Sequence, residues 1–490
     1  MATYYVSTVG NDSWDGLAPA YVSGTNGPWL TMVYAATKVA AGDTVEIRGG
    51  TYQAYGGTWV TSGTETNPIT ITNYADETVI IDGNNFTIPS SATEGLVKIY
   101  GEWYTVSNLE ISYSGGVAVI VTGSASHCTL DNIYAHHCWG GGIVFSGWYG
   151  LVDNCRAYYN SMDNENWGAA SWGFGISACR YPQYTTIRGC TAWDNWGEGI
   201  STFETEHITI EDCVSYNNGQ NFYLSDTKYT LLQRSLSYFT ANNQSQAGTT
   251  QQCIFLGDEK GGAYASTNNT VINNFCLGGE RNIAVGALPN YLIAHNTFVN
   301  ASDTQGTDEY NVLFYTGTHT GGKFQNNVIL EEDADIPIAL NGGTGVTLGY
   351  NCWSKAAPVN CQGTGDVVDN PDLAKTGSTA AGELTGEYFQ ILTTSPAKDA
   401  GTDVGIDEDY WQTGRPFGTG YDIGAHEWTG DSLWVSPGSY SLTGSTLTID
   451  FFPSPRLLWC ESGGFYWGGE SVLLARNIPG KIKHRHSKRA

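Results

Sequence analysis

At 490 residues the chain is longer than one compact core usually supports, and 62 glycines with 14% charged and 13% aromatic residues describe a turn-rich β protein. Forty-eight acidic against 22 basic residues give a net charge of −26. This excludes nucleic acid as a partner, because no basic stripe offsets phosphate repulsion, and it disfavours an acidic substrate unless a divalent cation bridges the two.

The opening MATYYVSTVGNDSWDG contains no apolar run that reads as a signal peptide or a membrane span. An extracellular or cell-surface location therefore requires a removed leader or another export route. Residues 1–60 read as an N-terminal cap: a strand at Tyr4–Val6, a loop rich in Gly, Asp and Asn, and a short helix in WLTMVYAATKVA from Trp29. A helix placed before the first coil of a solenoid covers its open end.

Residues 61–365 carry a repeat, starting near Ile69 and Val79. The phrase GEGISTFETEHITIEDCVSYNNGQNFYLSD, from Gly197 to Asp226, is one full turn and the start of the next. Taking Ile176, Ile200, Phe222, Ile254 and Ile283 as equivalent inward positions gives steps of 24, 22, 32 and 29 residues by subtraction. Self-similarity at this period marks a solenoid. Alternation of period two within each run makes the unit β, and corners such as Asn217-Asn218-Gly219 suit turns with positive φ. The fold class is all-β, a right-handed parallel β-helix. Cys155, Cys190 and Cys213 fall at one point of successive coils, which predicts a column of buried free thiols, since stacked side chains point alongside one another rather than at one another.

Residues 366–428 abandon the repeat and read as a terminal wrap of the β-helix. Residues 429–490 reverse the charge of the rest and read as a C-terminal appendage or a disordered tail of unknown role.

Side chains on one strand face of a β-helix stack in columns. Four positions beyond the inward residues stand Arg180, Glu204, Asp226 and Asp258; six beyond, Glu206, Lys228 and Lys260; two before, Glu198, Gln220, Gln252 and Arg281; one beyond, Ser177, Ser201, Tyr223 and Phe255. Carboxylates stacked at strand pitch require a raised pKa, a cation or a basic partner. Glu204, Asp226 and Asp258 are thus candidates to hold a metal through oxygen ligands, with Lys228 or Arg180 as base or charge neutraliser for β-elimination at a uronic acid. They are equally candidates for the acid and base of glycoside hydrolysis, and the bland alternative is a ladder of ion pairs solvating the corner. Trp139, Trp148, Trp167, Trp172, Trp193 and Trp196 fall on three neighbouring coils and suit sugar stacking. Trp172, Trp196, Glu198, Phe203, Phe255, Lys260 and Arg281 are the candidate substrate contacts, with Trp196 and Tyr223 expected as exposed platforms. His136-His137 is a weak metal signal, because adjacent strand residues face opposite ways. His207 reads as plain surface.

The segments YYVSTVGNDSWDG, GDTVEIRGGTY, NCRAYYN, RGCTAWDN and NNGQNFYL, with DIGAHEW at Asp422–Trp428, resemble the right-handed β-helix polysaccharide lyases, in particular the family 9 pectate lyases, over residues 3–428. The resemblance implies a calcium held by aspartates and a lysine that abstracts the proton α to the uronate carboxylate. Those aspartates fall near Trp172, Gly197, Glu198 and Ser201, of which only Glu198 is acidic, and the lysine falls at Tyr223. The expected function is an extracellular enzyme cleaving glycosidic bonds of a polysaccharide, by elimination or hydrolysis, with Ca2+ as the candidate cofactor. The alternative is a non-catalytic glycan-binding or structural β-helix such as an adhesin or virus spike.

Overall fold

The computed structural model describes residues 1–89, 94–162, 173–240, 250–302 and 309–430, and beyond them only the backbone of short strands between 439 and 485. The chain is a right-handed parallel β-helix of three sheets. Sheet A has 13 strands, from Thr3–Val6 to Thr347–Gly349; sheet B has 13, from Gly50–Tyr52 to Val367–Val368; sheet C has 11, from Thr58–Trp59 to Ala339–Asn341. One coil runs Thr186–Arg188 in sheet A, Thr191–Trp193 in sheet B and Glu198–Glu206 in sheet C.

The inward register is the one that the repeat predicts. Ile176 lies against Ile200, Ile200 against Phe222, Phe222 against Ile254 and Ile254 against Ile283. All five are buried in a core that runs the length of the coils. The corner between sheets A and B is turned by Asn108, Asn132 and Asn154 at φ of 52–60°, a conformation that asparagine tolerates better than most residues.

At the corner between sheets C and A the same conformation is held by rings. Trp103, His127, Tyr149, Tyr184, His207 and Tyr229 all have φ between 52° and 58°. They form one file with centroids 4.0–5.2 Å apart and planes within 5–9° of parallel. His207 is therefore not plain surface. Stacking offsets the cost of a left-handed backbone, and each inner ring, with both faces covered, offers solvent only an edge.

Cys155, Cys190 and Cys213 are buried free thiols in successive coils. Burial, followed by the adjoining Cys155 and Cys213 sulfurs, pushes the Cys190 thiol well up. In later coils this column becomes polar. Cys213 N donates to Ser235 Oγ (3.2 Å) and Ser235 N to Asn274 Oδ1 (2.9 Å). Asn274, Asn296, Asn327 and Asn351 then pass a hydrogen bond from each Nδ2 to the next Oδ1 at 3.0–3.1 Å. Each Asn also donates to a backbone carbonyl, so buried turns that carry no strand pairing are satisfied.

At the N-terminal end only Met32–Ala36 is helical. Trp29, expected inside the helix, is extended, bridges to Val6 and stacks on Tyr4 at 4.5 Å. Thr31 caps the helix, held by Asp12, and Met32 is buried over the core. Thr3–Val6 already pairs with Thr44–Ile47, so the first coil begins before Ile69. At the other end, residues 369–428 pack on the outer face of sheet B. Phe389 stacks on Phe275 at 4.6 Å, and Ile423 and Ala425 are fully buried. Arg415 and Glu427 form a fully buried ion pair at 2.8 Å. The strands between 439 and 485 pair only antiparallel with one another. No helix among the described residues is long and apolar enough to cross a membrane.

Thiol reagents are expected to label Cys155, Cys190 and Cys213 only after denaturation; rapid labelling of the native protein would contradict the column. Replacing Asn296 with Leu leaves a buried amide neighbour and a carbonyl unpaired. A loss of about 2 kcal/mol or more in chemical denaturation is expected, the size of an abandoned buried hydrogen bond.

Candidate active site

Glu198–Glu206 and Gln220–Lys228 are nine-residue strands, the longest in sheet C. Each contains one left-handed residue, Glu204 (φ 53°) and Asp226 (φ 47°), and Arg180 (φ 65°) occupies the same level one coil earlier. A left-handed residue inside an extended strand bends it and re-aims the side chains beyond. The result is a cleft of about 400 Å³ on the outer face of sheet C, walled by Phe174, Ser177, Cys179, Arg180, Glu198, Phe203, Glu204, Gln220, Tyr223, Glu259 and Lys260.

The columns counted from the sequence are present for four positions. Glu198, Gln220, Gln252 and Arg281 are register neighbours, as are Ser177, Ser201, Tyr223 and Phe255. Farther from the strand centre the counting fails. Lys228 pairs with Glu206, but the next coil presents Thr267, not Lys260, because a longer turn intervenes. Lys260 instead meets Glu204 (3.3 Å) and lies 4.6 Å over the Phe203 ring. Lys228 lies over Tyr264, outside the cleft lining.

Glu198 is half-buried on the cleft floor. Burial pushes its carboxyl up to about 8; the Ser201 hydroxyl opposes this and the neighbouring Glu259 carboxylate adds to it. Ser201 in turn donates to Ser177 Oγ (2.9 Å). Across the cleft the Tyr223 hydroxyl donates to Glu259 Oε1 at 2.5 Å. Burial first, and then this bond, holds the Tyr223 phenol far above its usual range, so it is a proton donor and not a base at neutral pH. Glu259 was not picked out by counting, because it sits on a turn. The signal available was GDEKGG, a charged tip between Gly257 and the pair Gly261-Gly262, falling next to the outward Tyr223 column.

Several expected roles are overturned. Tyr223 and Trp196 are buried, at 4% and 7% exposure, so neither is an open platform for a sugar. Trp193 stacks between Tyr158 and Tyr216 on the outside of sheet B. Trp167 and Trp172 lie outside the described residues. Phe255 stacks on Tyr223 at 5.2 Å, and Arg281 donates to the Tyr315 hydroxyl at 2.5 Å; neither lines the cleft. His136 and His137 do approach, Nδ1 to Nδ1 at 2.9 Å, because His137 is left-handed, but His136 Nε2 is engaged by Glu110.

The proposed metal triad does not form. Asp226 is fully buried, and both its oxygens accept hydrogen bonds from neighbouring N–H and O–H groups. Burial would raise its carboxyl, but the Ser225 hydroxyl and three backbone N–H groups outweigh that and hold it below the usual range. Asp258 is an exposed residue whose carboxyl is raised by partial loss of water and by the adjoining Asp226, and whose Oδ1 accepts the Gly261 N–H (2.9 Å). Glu204 is taken by Lys260. Calcium requires six to eight oxygen ligands. The described positions implied by the resemblance, Gly197, Glu198 and Ser201, supply one carboxylate that favours its neutral form. No three His, Cys, Asp or Glu side chains among the described residues group to hold a metal. This donor set does not fit calcium.

A second depression, of about 390 Å³ on sheet A, has the amides Asn268, Asn269, Asn290 and Gln325 and the amine of Lys323 in its lining and carries one carboxylate, Asp403. It has no pair of acids with unlike environments. The cleft on sheet C does, and that division suits proton transfer at a glycosidic bond.

The fold is a β-helix of the polysaccharide-lyase type. The chain belongs to the Pel9A-like family, whose right-handed beta helix region matches residues 4–311. It is 24% identical over 348 residues to pectate lyase PEL9 of Emericella nidulans, covering 60% of this chain and 79% of that protein. Among solved structures, pectate lyase Pel9A superposes with a TM-score of 0.51 at 19% identity, covering 87% of this chain and 96% of that one. A rhamnogalacturonan lyase gives a TM-score of 0.51 at 16% identity, covering 76% and 91%. At these identities the superpositions establish the fold.

Because Glu198 takes up its proton at a higher pH in the folded than in the unfolded chain, the native state binds more protons between pH 4.5 and about 8. Stability contributed by this group is therefore present at low pH and lost as pH rises through that window. Glu198→Gln is expected to raise the thermal midpoint at pH 9 and to leave it unchanged at pH 4. An equal effect at both would show that the carboxyl is not displaced.

Proposed function

We propose that the protein cleaves a uronic-acid-containing polysaccharide outside the cell by β-elimination in the sheet C cleft. The observation that carries this reading is one cleft that holds both Glu198, whose carboxyl burial pushes up to about 8, and Glu259, anchored by the Tyr223 hydroxyl. Glu259 takes the proton from the carbon α to the uronate carboxylate, the bond to the leaving oxygen breaks as the carbon–carbon double bond forms, and Glu198 protonates that oxygen. Arg180, exposed and without an ion pair among the described residues, neutralises the uronate carboxylate, with Lys260 beside it. Tyr223 orients Glu259. The pectate and rhamnogalacturonan lyases to which the chain is similar support this substrate class.

Hydrolysis is the second reading, favoured by the same two carboxylates in unlike environments. A panel of pectic and other acidic polysaccharides separates the two. Unsaturated uronate absorbance is expected, whereas new reducing ends without it would mean hydrolysis, and binding without cleavage would mean a glycan-binding protein. Chelation with EDTA is expected to leave the rate unchanged; loss of activity restored by calcium would return the metal to the mechanism. Glu198→Gln is expected to lower turnover about 10²-fold or more, the usual contribution of a positioned acid.

A further inference from the structure

The turn that follows Gln252–Gly257 delivers two charged groups to the cleft; Asp226 gathers it from beneath, and the turn's Gly261 N–H is shared with Asp258 Oδ1 (2.9 Å). Asp226 Oδ1 accepts the N–H groups of Lys260 (2.8 Å) and Gly261 (2.9 Å). Its Oδ2 accepts the N–H of Glu259 (3.0 Å) and the Ser225 hydroxyl (2.8 Å). Three consecutive backbone N–H groups thus converge on one buried carboxylate, an anion-binding nest occupied from within the chain. Gly261 and Gly262, at φ of 62° and 70°, allow the backbone to curl this way. The base of the turn is closed by Ser266, whose hydroxyl donates to Gly257 O (2.6 Å) and accepts from Thr227 N (3.1 Å).

We propose that Asp226 is a positioning residue that gathers the 258–261 turn and so sets Glu259 against Tyr223 and Lys260 against Glu204. This rests on the reading of Glu259 and Lys260 as working groups of the cleft. Asp226 itself does not touch the substrate, because it is fully buried and each of its oxygens already accepts two hydrogen bonds. An asparagine cannot replace it. One acceptor oxygen would become an NH₂ group facing an N–H donor, and the charge that favours all three backbone donors would be gone.

Amide hydrogen exchange on the full chain tests the placement without any substrate. In Asp226→Asn, exchange across residues 258–261 is expected to rise at least tenfold while the inward strands of sheet C stay protected. Ser225→Ala, which removes one of the four donors, is expected to act in the same direction and less. Activity then separates positioning from chemistry. Asp226→Asn and Glu259→Gln should each lower turnover about 10²-fold, and the double variant should be little slower than Glu259→Gln alone, since Asp226 acts chiefly by placing the Glu259 carboxylate. Unchanged exchange in both Asp226→Asn and Ser225→Ala, or losses that multiply in the double variant, would overturn the proposal. If the parent cleaves no polysaccharide, the proposed activity fails, while the exchange measurement still decides whether Asp226 holds the turn.

Discussion

Each inner strand of the β-helix has its backbone groups satisfied by the coil before it and the coil after it, and almost everything else follows from that single constraint. A strand three residues long has no stability of its own. Paired on both edges, it fixes which side chains of distant sequence become neighbours. Ile200 meets Ile176 and Phe222 because the ladder places them there, and Glu198 comes to stand over Gln220 for the same reason. The cleft is therefore built by register. A loop that merely fell beside sheet C would not hold a proton on Glu198.

The same constraint explains what was legible in the sequence. Residues within two positions of an inward side chain share the ladder, so the thiol column and the Glu198 and Ser201 rows were readable by counting. Asp226 and Glu204 were placed in the right column but given the wrong environment. Their left-handed backbone turns one side chain under the next turn and the other toward Lys260, and counting carries no information about that rotation. Lys260 and Glu259 belong to a turn whose length differs from its neighbours, so their partners depend on a path through space that the offset does not encode. The burial of Trp196 and Tyr223 is likewise a property of neighbouring coils and not of their own alternation.

Charge in the cleft is arranged by unequal burial. Glu198 is starved of donors apart from Ser201, whereas Asp226, fully buried under the 258–261 turn, is surrounded by them. Two acids of nearly equal intrinsic strength are thereby driven in opposite directions. One becomes able to give a proton near neutrality and the other a permanent anion. The acidic composition that first argued against an acidic substrate thus overstates the negative charge at this place, where Glu198 favours its neutral form, Asp226 is spent on backbone, Glu204 is paired with an amine and Glu259 accepts the Tyr223 hydroxyl.

The asparagine file has a direction. Nδ2 of Asn274, Asn296 and Asn327 each donates to the Oδ1 of the asparagine in the following coil, so these side-chain dipoles add instead of cancelling. Their positive ends face the C-terminal coils, and there the file stops on an acid: Asn351 N and Trp353 Nε1 both donate to Asp366, at 2.9 and 3.0 Å. This is the arrangement of an anion at the amino end of a helix, reproduced by side chains in a protein with almost no helix. It gives the stack a polarity that its inward apolar residues lack, and an electrostatic terminus at the coil where the repeat ends.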